Sequence, residues 1–160
     1  MSPRGAASSA RREGLIRGVT ILAIAGAVVL GAVLLLTAWP LINVVETGTT
    51  PEYPDLQARI YRAEVSQVFD AALHAVDRMP RWTILAYQQE SGEIEAEAKS
   101  LVFRFVDDVV IRVTSQGAST VVSVRSASRI GRGDFGQNAR NIRAFLRELD
   151  RQVERALSRA

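Results

Sequence analysis

Gly131-Arg132-Gly133-Asp134-Phe135-Gly136 spaces three glycines as G-x-G-x-x-G between a strand pattern and a helix pattern. That spacing cradles a pyrophosphate when a parallel strand follows the helix and carries an acid about 20 residues further on. Here the helix pattern runs to the last residues of the chain and the preceding strand patterns are antiparallel, so no dinucleotide site is expected. Two other uses fit better. The glycines allow positive φ angles in a strand-to-helix connection, with Asp134 or Asn138 capping the helix. The free N–H groups of a helix N-terminus could also attract an anion. Arg125, Arg129, Arg132 and Arg140 would supply charge around it, giving a candidate ligand or anion site of these four arginines with Asp134 and Asn138.

Other chemistry is scarce. The chain has no Cys and one His, which excludes disulfides, thiolate nucleophiles and Cys-ligated metal centres. His74 falls on the polar side of its helix pattern beside Asp70 and Asp77, which suits a surface histidine. Ser126 and Ser128 have no base in reach, and Asp107-Asp108 reads as a turn or bulge with solvated carboxylates. No catalytic residue, metal or cofactor is expected. One charged feature stands out: Arg143, Arg147, Arg151 and Arg155, with Arg140, follow one face of the last helix pattern. A one-sided row of this kind suits anionic headgroups or an acidic partner.

The elements that must hold these residues begin with a membrane-type segment. Of 160 residues, 20 are basic and 17 acidic, but the net +3 sits entirely in residues 1–45 (Arg4, Arg11, Arg12 and Arg17 against Glu13). The remainder is neutral, so nucleic acid is not an expected partner. Gly18 to Trp39 is free of charge over 22 residues, about 33 Å of helix, enough for a hydrocarbon core of about 30 Å. The flanking arginines place the N-terminus in the cytoplasm and the rest of the chain in the periplasm. A cleaved signal peptide shares the basic start, but its apolar core is shorter, about 7–15 residues. Ala23, Ala27 and Gly31 recur every four residues, a spacing that lets another membrane helix approach closely. The expected organisation is a cytoplasmic N-terminus over 1–17, a transmembrane helix over 18–42, a Pro- and Thr-containing linker over 43–57, and an extracytoplasmic domain over 58–160.

Within that domain, residues 62–79 place Val65, Val68, Phe69, Ala72, Leu73, Val76 and Met79 on one helical face, ending before Pro80. Strand patterns follow at 82–87, 93–98, 101–106, 109–113 and 120–128, with Glu93, Glu95 and Glu97 opposite Ile94, Ala96 and Ala98. Arg104, Arg112 and Arg125 would share the polar face with the glutamates. Residues 138–157 return to helical spacing, with Ile142, Phe145, Leu146, Leu149 and Val153 opposite the arginines. The expected fold is α+β: a helix, an antiparallel meander of four or so strands, and a second helix in a helix-grip-like sandwich.

Tyr53-Pro54-Asp55-Leu56, FRFVDDVVIRV from Phe103 to Val113, and RSASRIGRGDFGQNARNIRAFL from Arg125 to Leu146 together resemble the bacterial family catalogued as domain of unknown function 1499. The resemblance spans about Tyr53 to Leu149. It implies a single domain behind an N-terminal anchor or signal, with no catalytic residues to carry over. It also directs attention to Arg125, Ser126, Ser128, Arg129, Gly131, Asp134, Gly136 and Asn138. The expected function is a non-enzymatic, single-pass inner-membrane protein, an accessory or assembly subunit of a larger complex, respiratory or photosynthetic for example. The alternative is an anchored module that binds an anionic lipid or phosphate-bearing ligand at Gly131–Asn138.

Overall fold

The computed structural model describes residues 4–37, 42–100, 105–131 and 133–159, with side chains of the first helix described from residue 17 to residue 34. The chain divides into two compact units, Met1–Trp39 and Pro40–Ala160. The first is a single helix, α1 (Arg4–Thr37). Its window Arg17–Leu34 has a mean hydropathy of 2.1, long and apolar enough to cross a membrane and equally consistent with a signal sequence. Apolar side chains point outward all round it, from Val19 and Leu22 to Leu34. Such a surface is stable only where something other than water covers it.

The second unit is mixed α+β. In chain order it contains β1 (Val44–Glu46), β2 (Arg59–Tyr61), α2 (Val65–Arg78), β3 (Trp82–Gln88), β4 (Glu93–Lys99), β5 (Val106–Gln116), β6 (Ser119–Ser128) and α3 (Gln137–Leu157). The sheet is antiparallel with order β1-β6-β5-β4-β3, and β2 pairs with β6 beyond the end of β1. Val44–Glu46 align with Arg125–Ala127, and Arg59–Tyr61 with Thr120–Val122, so two short strands share one edge of β6. The four-stranded meander expected from alternation is β3 to β6. Two-residue periodicity puts Ile94, Ala96, Val109, Ile111, Val113, Val122 and Val124 on one face, all buried. That face forms one core with Phe69 and Val76 of α2 and with Ile142, Phe145 and Leu149 of α3. Trp82 stacks on Phe145 at 6.0 Å between ring centroids.

Two expectations change. Residues 43–57, read as a linker, are folded into the domain: β1 completes the sheet, and Val45 and Leu56 are buried in the core. Prolines and threonines mark that stretch as non-helical, and edge pairing with β6 gives its backbone partners. Asp107 and Asp108 are not in a turn. They lie inside an unbroken β5, paired with Ser128 and Ala127 on one side and Ala98 and Glu97 on the other. The expected strand over 101–106 falls mostly outside the described residues, as do Phe103 and Arg104. α3 matches the expected 138–157 to within one residue. α2 starts at Val65, three residues after the expected 62, and ends at Arg78, the extended backbone of Met79 preceding Pro80. α1 starts at Arg4, well before the expected 18, and runs to Thr37.

Candidate functional site

The apolar face of the sheet turns polar at one end. Extending the inward register of β5 by one step from Val109 reaches Asp107, and extending β6 from Val124 reaches Ser126 and then Ser128. The first turns of α3 bring Asn138 and Asn141 against them, and all of these except the half-buried Ser128 are buried. Asp107 accepts hydrogen bonds from Ser128 Oγ at 2.6 Å and from Asn141 Nδ2 at 2.9 Å. Asn138 accepts one from Ser126 Oγ at 2.6 Å and donates to Ser128 Oγ at 3.0 Å and to the Asn43 carbonyl at 2.9 Å. Burial pushes the Asp107 carboxyl above its ordinary range. The Ser128 and Asn141 hydrogen bonds oppose that shift in part, and the nearby Asp134 and Asp108 add to it.

The loop from Gly131 to Gly136 then enters α3. Gly131 and Gly136 take positive φ values of 97° and 72°, the conformational need the glycines answer. Phe135 also lies in the left-handed region, at φ 50°, which costs an L side chain roughly 1–2 kcal/mol. The residue is 57% exposed, so burial offsets only part of that cost. The start of α3 is capped from within: Asp134 accepts from the Gly136 N–H at 2.9 Å and the Asn138 N–H at 2.5 Å.

Between this loop and the ends of β5 and β6 lies a cavity of about 330 Å³. Phe105, Ile130 and Phe135 form apolar walls, and Asp107, Ser128, Asp134 and Arg140 contribute polar groups. Phe105 and Ile130 are 49% and 70% exposed, so three large apolar side chains stand at the surface together. Arg140 donates to the Phe135 carbonyl at 2.9 Å and to Gln137 Oε1 at 3.1 Å, bracing the loop.

The candidate residues therefore separate. Asp134 and Arg140 line the cavity, and Asn138 lies fully buried in the polar network beside it. Arg125 alternates with Val124 and Ser126 and belongs to the opposite face of the sheet. Arg129 is exposed there too, paired with Asp108 at 2.6 Å and Glu97 at 2.6 Å, and those carboxylates hold its guanidinium more firmly charged. Arg132 lies outside the described residues. On α3, Arg143 grips Asp55 with two hydrogen bonds, 2.8 and 2.9 Å, and covers the Tyr53 ring at 5.3 Å. The Asp55 carboxyl is held below the usual range by that hydrogen bonding. The Tyr53 hydroxyl is buried with no hydrogen-bond partner among the described residues, and burial followed by the Asp134 charge raises its pKa. Arg151 bonds Glu148, while Arg147 and Arg155 are exposed. Ala23, Ala27 and Gly31 lie four residues apart in α1, where a Cβ at Gly31 would meet nothing within 4 Å. His74 is exposed on α2, and no group of three metal-ligating side chains occurs among the described residues.

The segments that enclose the cavity and its buried floor are also those that carry a family pattern. The family model described as "Protein of unknown function (DUF1499)" matches residues 34–149. The chain belongs to the DUF1499 family. Its match covers the polar network, the Gly131–Gly136 loop and the Tyr53–Asp55–Arg143 cluster, so the DUF1499 segment contains every residue of the site. No curated protein matches the chain. Among solved structures, TTHA0849 from Thermus thermophilus is similar at 11% identity and TM-score 0.39, covering 71% of this chain and 98% of its own. Protein CV1439 from Chromobacterium violaceum is similar at 10% identity and TM-score 0.40, covering 70% and 98%.

Sequence reasoning missed Asp107, Asn141, Asn43 and the walls Phe105, Ile130 and Phe135. The signal for Asp107 was present: the alternation of Val109, Ile111 and Val113 carried back by two residues lands on it. Asn138 and Asn141 similarly lie on the apolar side of the last helix pattern, where a buried amide needs buried partners.

Proposed function

We propose that this protein is a non-enzymatic binding module held at a membrane by α1, with its N-terminus in the cytoplasm and its α+β domain in the periplasm. The cavity beside Gly131–Arg140 takes a small ligand with an apolar body. The observation that carries this reading is Phe135: an aromatic side chain held at positive φ and more than half exposed, at the wall of a cavity with two other exposed apolar side chains. Backbone strain of about 1–3 kcal/mol at a ligand clamp persists where the surrounding structure enforces it. At about 330 Å³ the cavity is at the small end of ligand sites, about 300–1,000 Å³. The polar groups beside it bond mainly to one another, which supports binding over turnover.

The expected phosphate or anionic-lipid ligand is poorly served by this geometry. The N–H groups that would greet an anion at α3 are taken by Asp134, Arg129 is spent on Asp108 and Glu97, and Arg125 belongs to the other face. An accessory subunit of a larger inner-membrane complex is the second reading. The small-residue face at Ala23, Ala27 and Gly31 and the exposed Arg147 and Arg155 support it.

Purification of the tagged full chain from native membranes in mild detergent, followed by native mass spectrometry, separates the two. A lone protein carrying a defined extra mass supports the binding module. Stoichiometric migration with other membrane subunits, lost when Ala23, Ala27 and Gly31 are changed to Leu, supports the second reading. A lone protein with nothing bound counts against both.

A further inference from the structure

The cavity's charges point to the chemistry of the ligand's polar end. Among the described lining residues the ionisable groups are two carboxylates, Asp107 and Asp134, and one guanidinium, Arg140. Arg140 is exposed and engaged with the Phe135 carbonyl and Gln137. Asp107 is only 2% exposed, and its hydrogen-bond donors, Ser128 and Asn141, are neutral. No Lys or Arg among the described residues lies within ion-pair distance of it. Arg129, on the other face of the sheet, is paired with the adjacent Asp108. A carboxylate offers about four acceptor sites, of which the neutral donors use two. A buried carboxylate without a counter-charge is costly, and an ammonium group at hydrogen-bond distance offsets that cost.

We infer that the cavity binds a primary amine on a short apolar body: the ammonium lies toward Asp107 and Asp134, and the hydrocarbon lies between Phe105, Ile130 and Phe135. This rests on the proposed binding function and narrows its ligand class. A cavity of about 330 Å³ is at the small end of ligand sites and suits a small molecule. The nearby aromatic walls favour a ring at the apolar end.

Three probes of nearly equal size differ only in that polar end: 4-phenylbutylamine, 4-phenylbutanol and 4-phenylbutyrate. Each is titrated calorimetrically into the full chain in phosphatidylcholine nanodiscs at pH 7, with empty nanodiscs subtracted. The amine is expected to bind at least about tenfold more tightly than the alcohol, and the butyrate more weakly than either. Asp107→Asn and, separately, Asp134→Asn, which retains a capping oxygen, should each shrink the amine's advantage while the alcohol still binds. Equal affinity for amine and alcohol would mean that Asp107 is uncharged in the cavity, and would overturn the inference. Preference for the butyrate would overturn it in favour of an anion site. Either result would leave the binding function standing, whereas no binding by any probe would remove both.

Discussion

Asn138→Ala tests whether the polar network is what fixes the loop over the cavity. Asn138 is fully buried, and its side chain joins three segments: β6 through Ser126 and Ser128, the chain before β1 through the Asn43 carbonyl, and its own helix. Truncation removes three hydrogen bonds, each contributing about 0.5–1.5 kcal/mol net. Ser128 keeps Asp107 as a partner, but Ser126 Oγ, in a fully buried residue, loses its acceptor. Alanine returns roughly 0.5 kcal/mol through helix propensity. The net loss is about 2–3 kcal/mol, or roughly 10 °C in Tm for a domain of this size. The assay is urea unfolding of the full chain in mild detergent, followed through Trp82, which is stacked on Phe145 in the core. Arg147→Ala, at an exposed position of the same helix, serves as control and should stay within about 0.5 kcal/mol of wild type. Ser126→Ala alone should cost about 1 kcal/mol, and the double variant less than the two losses added, because both remove the same bond. A loss under about 1 kcal/mol for Asn138→Ala, or strict additivity with Ser126→Ala, would refute the reasoning.

Three further outcomes are expected. Gly92 has φ 68°, and a Cβ there would sit 2.0 Å from the Val113 carbonyl oxygen, so Gly92→Ala should destabilise by at least about 2 kcal/mol in the same unfolding assay. Phe135→Gly should be more stable than Phe135→Ala by about 0.5–1 kcal/mol, since both lose the ring and only alanine retains the positive-φ strain; equal stability would remove the strain from the account. The Asp107 carboxyl has a raised pKa in the folded protein, so its contribution is fully present below the unfolded value of about 3.9 and is lost as pH rises through the folded value. Tm of the wild type should therefore fall relative to Asp107→Asn as pH rises above about 4, and parallel curves would contradict the burial of a charge there.

Most of the fold was legible because its core elements repeat a single period. Ile94, Ala96 and Ala98 alternate with glutamates, and the α3 apolar residues keep helical spacing, so β4 and α3 emerge directly from pattern. β1 and β2 did not, because three-residue edge strands carry no measurable period and exist through pairing with β6. The candidate site was half legible. The glycine spacing located the loop, and the capping role of Asp134 followed from residue type. Arg125 and Arg129 misled because proximity in sequence at the end of a strand says nothing of face: even-numbered residues 122–128 point inward and the arginines outward. Asp107 was concealed by its neighbour, since two consecutive aspartates resemble a turn until the register of Val109 to Val113 is extended through them.

Hydrogen exchange measured by mass spectrometry on the full chain, with and without saturating 4-phenylbutylamine, tests most directly that the Gly131–Arg140 cavity is the binding site. Added protection is expected in peptides spanning residues 128–140 and the start of β5, with the β5–β6 hairpin at residues 115–120 unchanged. Protection confined to that hairpin or to α2, or none anywhere at a concentration where calorimetry shows binding, would contradict the account.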